Sequence, residues 1–221
     1  RALPGDPALV MAGEDATPDQ LAQIRADLGL DQPMVIQFFH FMGNIFTGDL
    51  GTSTRTGQTV VHMISTTLPV TLWLAAYAVI VAVVVGIALG MIAERFRGRW
   101  PEGVANVAAL LGLSIPNFWL GLLAILLLAV TLNWFPASGY VAMTENPLKC
   151  IYYLTLPAVI LGVTLAAVVT RQTRASMIET MSTDYVRTAR AKGLHPARIL
   201  FRYGLRNSLT VLVTIIGLQL G

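Results

Sequence analysis

Three long stretches of this chain contain no Asp, Glu, Lys or Arg: residues 56–93, 103–144 and 150–170. A helical run of ~20 apolar residues crosses a hydrocarbon core of ~30 Å. Inside a bilayer the backbone must satisfy its own hydrogen bonds, so spanning segments of this length fold as helices. The segregation of charge therefore predicts an all-α, polytopic helical membrane protein. Charged residues make up only 12% of the chain, against ~25% in soluble domains.

The predicted spans are about 68–93, 104–135 and 152–170, with a fourth starting near 209 and cut off at 221. Thirteen residues of helix rise only ~20 Å, so the chain reads as a fragment with three complete spans and the start of a fourth. Pro69 is expected in the first turn of span one and Pro157 near the start of span three. Pro116, a third of the way into span two, should kink or break it. Gly86 and Gly90 form a GxxxG pair that lets a neighbouring helix approach closely, unless the pair is a chance product of a Gly- and Ala-rich helix. Trp134, Tyr140, Tyr152 and Tyr153 lie at span ends, where an aromatic belt is expected.

Residues 1–65 read as an extracytoplasmic or interfacial helical region ahead of a membrane domain, 66–221. Thr17-Pro18-Asp19-Gln20 has the form of a capping box with proline in the first turn, and the helix it starts should stop near Gly29. A second short helix, 33–46, is apolar on most faces and suits a membrane interface or packing against other spans. Residues 48–57, GDLGTSTRTG, should form an irregular turn.

Eleven of the fifteen Lys and Arg residues fall in 94–102 and 171–206. The positive-inside rule places both segments in the cytoplasm and the N-terminal region outside. Topology thus accounts for the net charge of +3, and no nucleic-acid partner is implied. The chain offers no catalytic constellation. Its histidines, His40, His62 and His195, match no H-E-x-x-H spacing, and neither G-x-S-x-G nor a phosphate-binding G-x-x-x-x-G-K-[ST] occurs. If the protein uses ATP, another chain must bind it. The complete spans hold no ionisable residue in their cores, which counts against an ion-coupled carrier. The single Cys150 allows neither an intrachain disulfide nor a zinc site and reads as a small apolar residue near a span end.

The basic loop 171–207 has internal design. Asp184 should cap a short helix running to about Lys192, with Gly193 as its stop. Pro196 should open a second helix, 197–207. Ala189 and Ala191 keep the first helix slim enough for a partner's groove. Composition alone leaves two readings open: a topology anchor with no partner, or a docking element for a cytosolic protein.

Residues 185–209, YVRTARAKGLHPARILFRYGLRNSL, resemble the cytoplasmic EAA loop of ABC-importer permeases. Gly193 stands at that pattern's glycine, Ala189 at its second alanine and Leu205 at its leucine. Arg187 and Thr188 replace its Glu and first Ala, and Arg206 replaces its Pro. TARAKG followed by Leu-Arg-Asn is similar to the variant in the dipeptide, oligopeptide and nickel branch. LPGDPA (3–8), LGLDQP (28–33), GDLGTS (48–53), SIPNFWLG (114–121) and WFPASGY (134–140) recur in that branch's order.

The resemblance implies a permease in a bacterial inner membrane, with a span before Arg1 and two after Asn207. It implies as partners a second, identical or homologous permease, two cytoplasmic ATPase subunits, an extracytoplasmic solute-binding protein and the lipid bilayer. ATP and Mg would sit on the ATPase subunits and no cofactor on this chain, which would not itself be an enzyme. The helix within 184–194 would be the coupling helix, with Asp184, Arg187, Ala189, Arg190, Gly193 and Leu194 as ATPase contacts. Ser114, Pro116 and Asn117 would line the translocation path, or form a packed kink in which Asn117 bonds a neighbouring helix. Arg171 and Arg174 read as interfacial anchors rather than substrate ligands. Residues 4–7 and 48–53 would shape the surface that receives the binding protein, or are plain turns. Dipeptides or oligopeptides are the expected substrates, with nickel, glutathione or another small solute as alternatives. A non-transporting membrane scaffold is the reading from another class; a membrane-embedded enzyme comes third.

Overall fold

The computed structural model describes residues 7–13, 16–53 and 55–220, which fall into two compact units, Arg1–Thr71 and Leu72–Gly221. Residues 3–6 of the LPGDPA motif lie outside the described residues.

The first unit contains α1 (Pro7–Ala12), α2 (Pro18–Asp27) and α3 (Met34–Phe46). The capping box of α2 forms in both directions: Gln20 N–H donates to Thr17 Oγ1 at 3.4 Å, and Thr17 N–H donates to Gln20 Oε1 at 3.1 Å. The chain leaves α2 at Leu28 and Gly29. No residue of α3 is buried in this chain, and Phe38, Phe39, Phe41 and Phe46 are all exposed. In its described residues, the 48–57 turn is more ordered than its glycines predict. Gly51 N–H donates to Asp49 Oδ1 at 2.8 Å, and an isolated antiparallel bridge joins Thr52 to Thr59.

Among the described residues, two helices are long and apolar enough to cross a membrane: α4 (Val60–Arg95) and α7 (Pro147–Met181). Between them lie α5 (Trp100–Ser114) and α6 (Asn117–Ala124), which continues as a π-helical turn, Ile125–Thr131. After α7 come α8 (Asp184–Ala191), α9 (Pro196–Ile199), a second π-helical stretch Leu200–Leu205, and α10 (Arg206–Leu220).

The helices outrun the predicted spans. Pro69 and Pro157 are therefore helix-interior residues, not first-turn or near-start residues. Charge-free length marks the part of a helix that suits a bilayer, not where the helix is capped. For α4 the cap is Thr59, whose Oγ1 accepts from His62 N–H at 3.4 Å. For α7 it is Asn146, whose Oδ1 accepts from Lys149 N–H at 3.0 Å. At its other end α7 runs past Arg171 and Arg174, because no Gly or Pro interrupts 171–181.

The break at Pro116 is as expected. Ile115 is extended (φ −82°, ψ 123°), the conformation imposed on a residue before proline. The two arms of the helix pair bend by 101°.

The core of this second unit is built from small residues on α7. Helix α4 buries Ala78, Ala82, Gly86, Gly90 and Ala93, and α5 buries Ala105, Ala109 and Gly112. These stripes meet α7 at Gly162, Ala166, Ala167, Val169 and Thr173. The GxxxG pair thus does bring a helix close: a Cβ on Gly86 would lie 2.6 Å from Val169 Cβ and 2.9 Å from the Ala166 carbonyl oxygen. Helix α10 packs on α7 as well and buries Leu212 and Ser208. The expected aromatics gather where α7 begins. Tyr152 donates to the Trp134 carbonyl at 2.9 Å and stacks on Phe135, while Tyr153 sits edge-on to Tyr152 and against Gly139. Cys150 is free and fully buried.

Candidate functional site

The loop after α7 is a folded element. Ser182 and Thr183 turn their hydroxyls back onto the Glu179 and Thr180 carbonyls, both at 2.6 Å, which closes α7. The N-cap of α8 is Thr183 rather than the expected Asp184. Asp184 sits one residue inside, in the first turn, where its charge complements the helix dipole. It lies 3.2 Å from Arg187, but both side chains are largely exposed, so this pair contributes little to stability.

Helix α8 stops as expected at Gly193, which takes φ +73°. Gly193 N–H donates to the Arg190 carbonyl at 3.0 Å and Leu194 N–H to the Ala189 carbonyl at 3.2 Å, the two bonds of a Schellman-type end. His195 then caps α9, its Nδ1 accepting from Ala197 N–H at 3.3 Å. The second helix does not stop at residue 207. It runs on through the π stretch into α10, because residues 197–216 hold no proline and their one glycine, Gly204, is buried.

Across the corner, Val186, Ala189 and Ile199 form a small buried core with Met181, Leu194 and Tyr203 packed around it. Tyr185 faces Tyr203 with ring centroids 6.1 Å apart, and Asn207 Nδ2 donates to the Tyr185 hydroxyl. These contacts fix the angle between α8 and the helix that follows. Of the six residues expected as contacts, Asp184, Arg187, Arg190 and Gly193 are exposed and Leu194 is half-buried. Ala189 departs from that expectation. It is only 5% exposed, because the 3.6-residue period turns it inward with Val186, and it shapes the loop from within.

A second polar feature ties the loop's base together. Glu102, in the first turn of α5, accepts from Gly98 N–H at 2.6 Å and pairs with Arg174 on α7. Arg174 is thus a half-buried clamp between helices, more than an interfacial anchor, whereas Arg171 is exposed. At the Pro116 break, Ser114, Pro116 and Asn117 are exposed in this chain, and Asn117 Oδ1 accepts from the Thr164 hydroxyl at 2.6 Å. Thr164→Val removes that donor while keeping the side chain's shape. It should lower the melting stability of the purified protein by about 0.6–1.7 kcal/mol, the range for such bonds between membrane helices. Adding Asn117→Ala should change little further.

Residues 86–221 match the family described as binding-protein-dependent transport system inner membrane component, and residues 1–75 match its N-terminal companion. The chain belongs to this family of inner-membrane permeases. A peptide transport system permease protein of Brucella abortus is 43% identical over 215 residues, covering 97% of this chain and 68% of the relative. Glutathione transport system permease proteins of Pectobacterium atrosepticum and of Escherichia coli are each 41% identical over 219 residues, covering 99% of this chain and 69% of each relative. The protein is thus a permease component of a binding-protein-dependent ABC transporter, placed in the bacterial inner membrane.

The permease's loop core was not anticipated from the sequence. Its signal was available: Val186, Leu194, Ile199 and Tyr203 are apolar residues in an otherwise basic, solvent-facing segment, with no membrane length to explain them.

Proposed function

We propose that this permease forms half of the transmembrane path of an ATP-driven importer for dipeptides or oligopeptides. A second permease, identical or homologous, supplies the other half. An extracytoplasmic solute-binding protein delivers the substrate. Two cytoplasmic ATPase subunits hold ATP and Mg, and the 184–194 element couples this chain to them. The observation that carries the reading is the loop's own buried core, Val186, Ala189 and Ile199, beneath an exposed face with Asp184, Arg187 and Arg190. A lever must keep its shape under load, and a mere topology anchor has no need of a core.

Closure of the ATPase pair would drag α8, and the fixed corner would pass that motion into α9, α10 and α7, rocking the helices between inward- and outward-open states. Ser114, Pro116 and Asn117 are proposed to face the path, since unwound backbone at membrane depth is tolerated beside a cavity. Glutathione is the second reading for the substrate, supported by the names of the relatives at 41% identity. It shares peptide chemistry with the first.

The test is reconstitution of the full-length permease with its ATPase subunits in proteoliposomes. Binding protein loaded with peptide should raise ATP hydrolysis and drive peptide uptake. No stimulation and no co-purification would favour the scaffold; stimulation by glutathione alone would favour the second substrate.

Gly193 offers a finer check. Nothing lies within 4 Å of where its Cβ would be, so only backbone shape limits substitution. A residue other than Gly in the left-handed region costs about 1–2 kcal/mol, with Asn tolerated best. Gly193→Val should therefore lower stimulated uptake about 5- to 30-fold, while Gly193→Asn stays near wild type. Equal uptake by both variants would show that the corner's shape is not what matters.

A further inference from the structure

Beneath α8 the structure holds a cavity of about 360 Å³, lined by Glu94 and Arg95 from the end of α4, by Met181, and by Arg190, Leu194 and Ile199 from the loop. Glu94 Oε2 is buried and has no hydrogen-bond partner. A buried, unpartnered carboxylate oxygen is costly, so its retention at this point calls for an explanation. Burial disfavours a charge on Glu94 most strongly; Arg97, Arg174 and Arg190 favour that charge, and Glu102 opposes it. Arg174 pairs with Glu102 through Nη2, and its Nε is buried without a hydrogen-bond partner, like Glu94 Oε2. Arg97 is exposed and follows Glu94 in the same turn-bound segment. Arg190 lines the same cavity, on the element that would move. Its side chain makes only a weak contact, Nη2 to Met181 Sδ at 3.9 Å, and among the described residues it forms no ion pair.

We propose that Glu94 is a positioning residue for coupling. In one nucleotide state α8 moves onto the end of α4, the cavity closes, and the Arg190 guanidinium pairs with the Glu94 carboxylate. The pair latches the loop directly to α4, in addition to the covalent route through α9 and α10. Hydrogen bonds between charged groups are the strong ones, and this one would form where a carboxylate oxygen is already out of water. The inference rests on the coupling reading above.

Two measurements test it on the assembled transporter with its ATPase subunits. In the first, Arg190→Lys protein is treated with a water-soluble carbodiimide, which joins a carboxylate to an amine in direct contact. Peptide mass spectrometry should find a 94–190 link in at least one of the nucleotide-free, ATP-bound and ADP-bound states, and none when Glu94→Gln is added. In the second, Glu94→Gln should lower peptide transported per ATP at least about five-fold, the lower end of ordinary coupling effects. Glu94→Asp, which keeps the charge, should recover most of it. Absence of the link in all three states, or wild-type coupling by Glu94→Gln, overturns the latch while leaving the coupling reading intact. A link in the Arg190→Lys protein, together with no stimulated hydrolysis in the wild-type assembly, overturns the coupling reading instead.

Discussion

Gly90→Leu is expected to leave almost no folded permease in the membrane. A Cβ at this position would sit 2.6 Å from Thr173 Cβ and 3.0 Å from the Thr170 carbonyl oxygen. These are a β-branched side chain and helix backbone, and neither can swing aside. Between helices in lipid there is no hydrophobic force to compensate, because the tails are as apolar as the side chains; close packing carries association. Overpacking costs about 1–3 kcal/mol in well-packed cores. Leucine adds three carbons beyond the one that already clashes, so the cost should reach or pass the top of that range. Gly90→Ala should be milder, and Gly86→Leu as severe, since Gly86 meets Val169 and the Ala166 carbonyl at comparable distances. Gly103→Ala is the control: it lies in α5 with nothing within 4 Å, and alanine gains helix propensity of about 1 kcal/mol there. Detergent-solubilised protein run on size exclusion, with a melting curve, reads all four. Wild-type yield and melting temperature for Gly90→Leu would mean that α4 and α7 do not pack through this stripe.

This example shows what was legible in the amino-acid sequence and what was not. The GxxxG pair is visible in one dimension, but its partner surface, Ala166, Val169 and Thr173, is not, because small residues on α7 carry no mark that says which helix they face. The break at Pro116 was legible, since it is set by local sterics between neighbouring residues. The ends of α4 and α7 were not, because charge-free length reports on the bilayer and says nothing of Thr59 or Asn146 as caps. In the loop, Gly193 and Pro196 could be placed from backbone chemistry alone. The inward turn of Ala189 depends on packing with Val186 and Ile199, and the π stretch at Leu200–Leu205 on packing against α7, where Gly204 meets Met177 and Met181. The clamp between Glu102 and Arg174 joins residues far apart in the chain, and only the fold brings them together.

Val186→Asp should separate the loop's shape from the fold of the bundle. Val186 is fully buried in a core of only three residues, so a carboxylate there has no partner and no room to turn outward without opening α8. Burying an unpaired charge costs several kcal/mol, more than so small a core can resist, and the local structure should open. Regions open locally when few apolar contacts hold them. The helices built on α7 keep their own contacts and should stay folded. Trypsin provides a readout independent of any ATPase, because Arg187, Arg190 and Lys192 all lie on or beside α8. When opening is fast, cleavage follows the population of the open form, so a loss of only ~1.4 kcal/mol in loop stability raises the rate about ten-fold. Val186→Asp should therefore be cut at these sites at least about ten times faster than wild type, with a melting temperature little changed. In the reconstituted transporter it should abolish binding-protein-stimulated hydrolysis. Thr188→Ala, on the exposed side of the same helix, should do neither. Fast cleavage with full stimulation would show that the loop's shape is irrelevant to coupling. Wild-type cleavage would show that the three-residue core does not hold the loop at all.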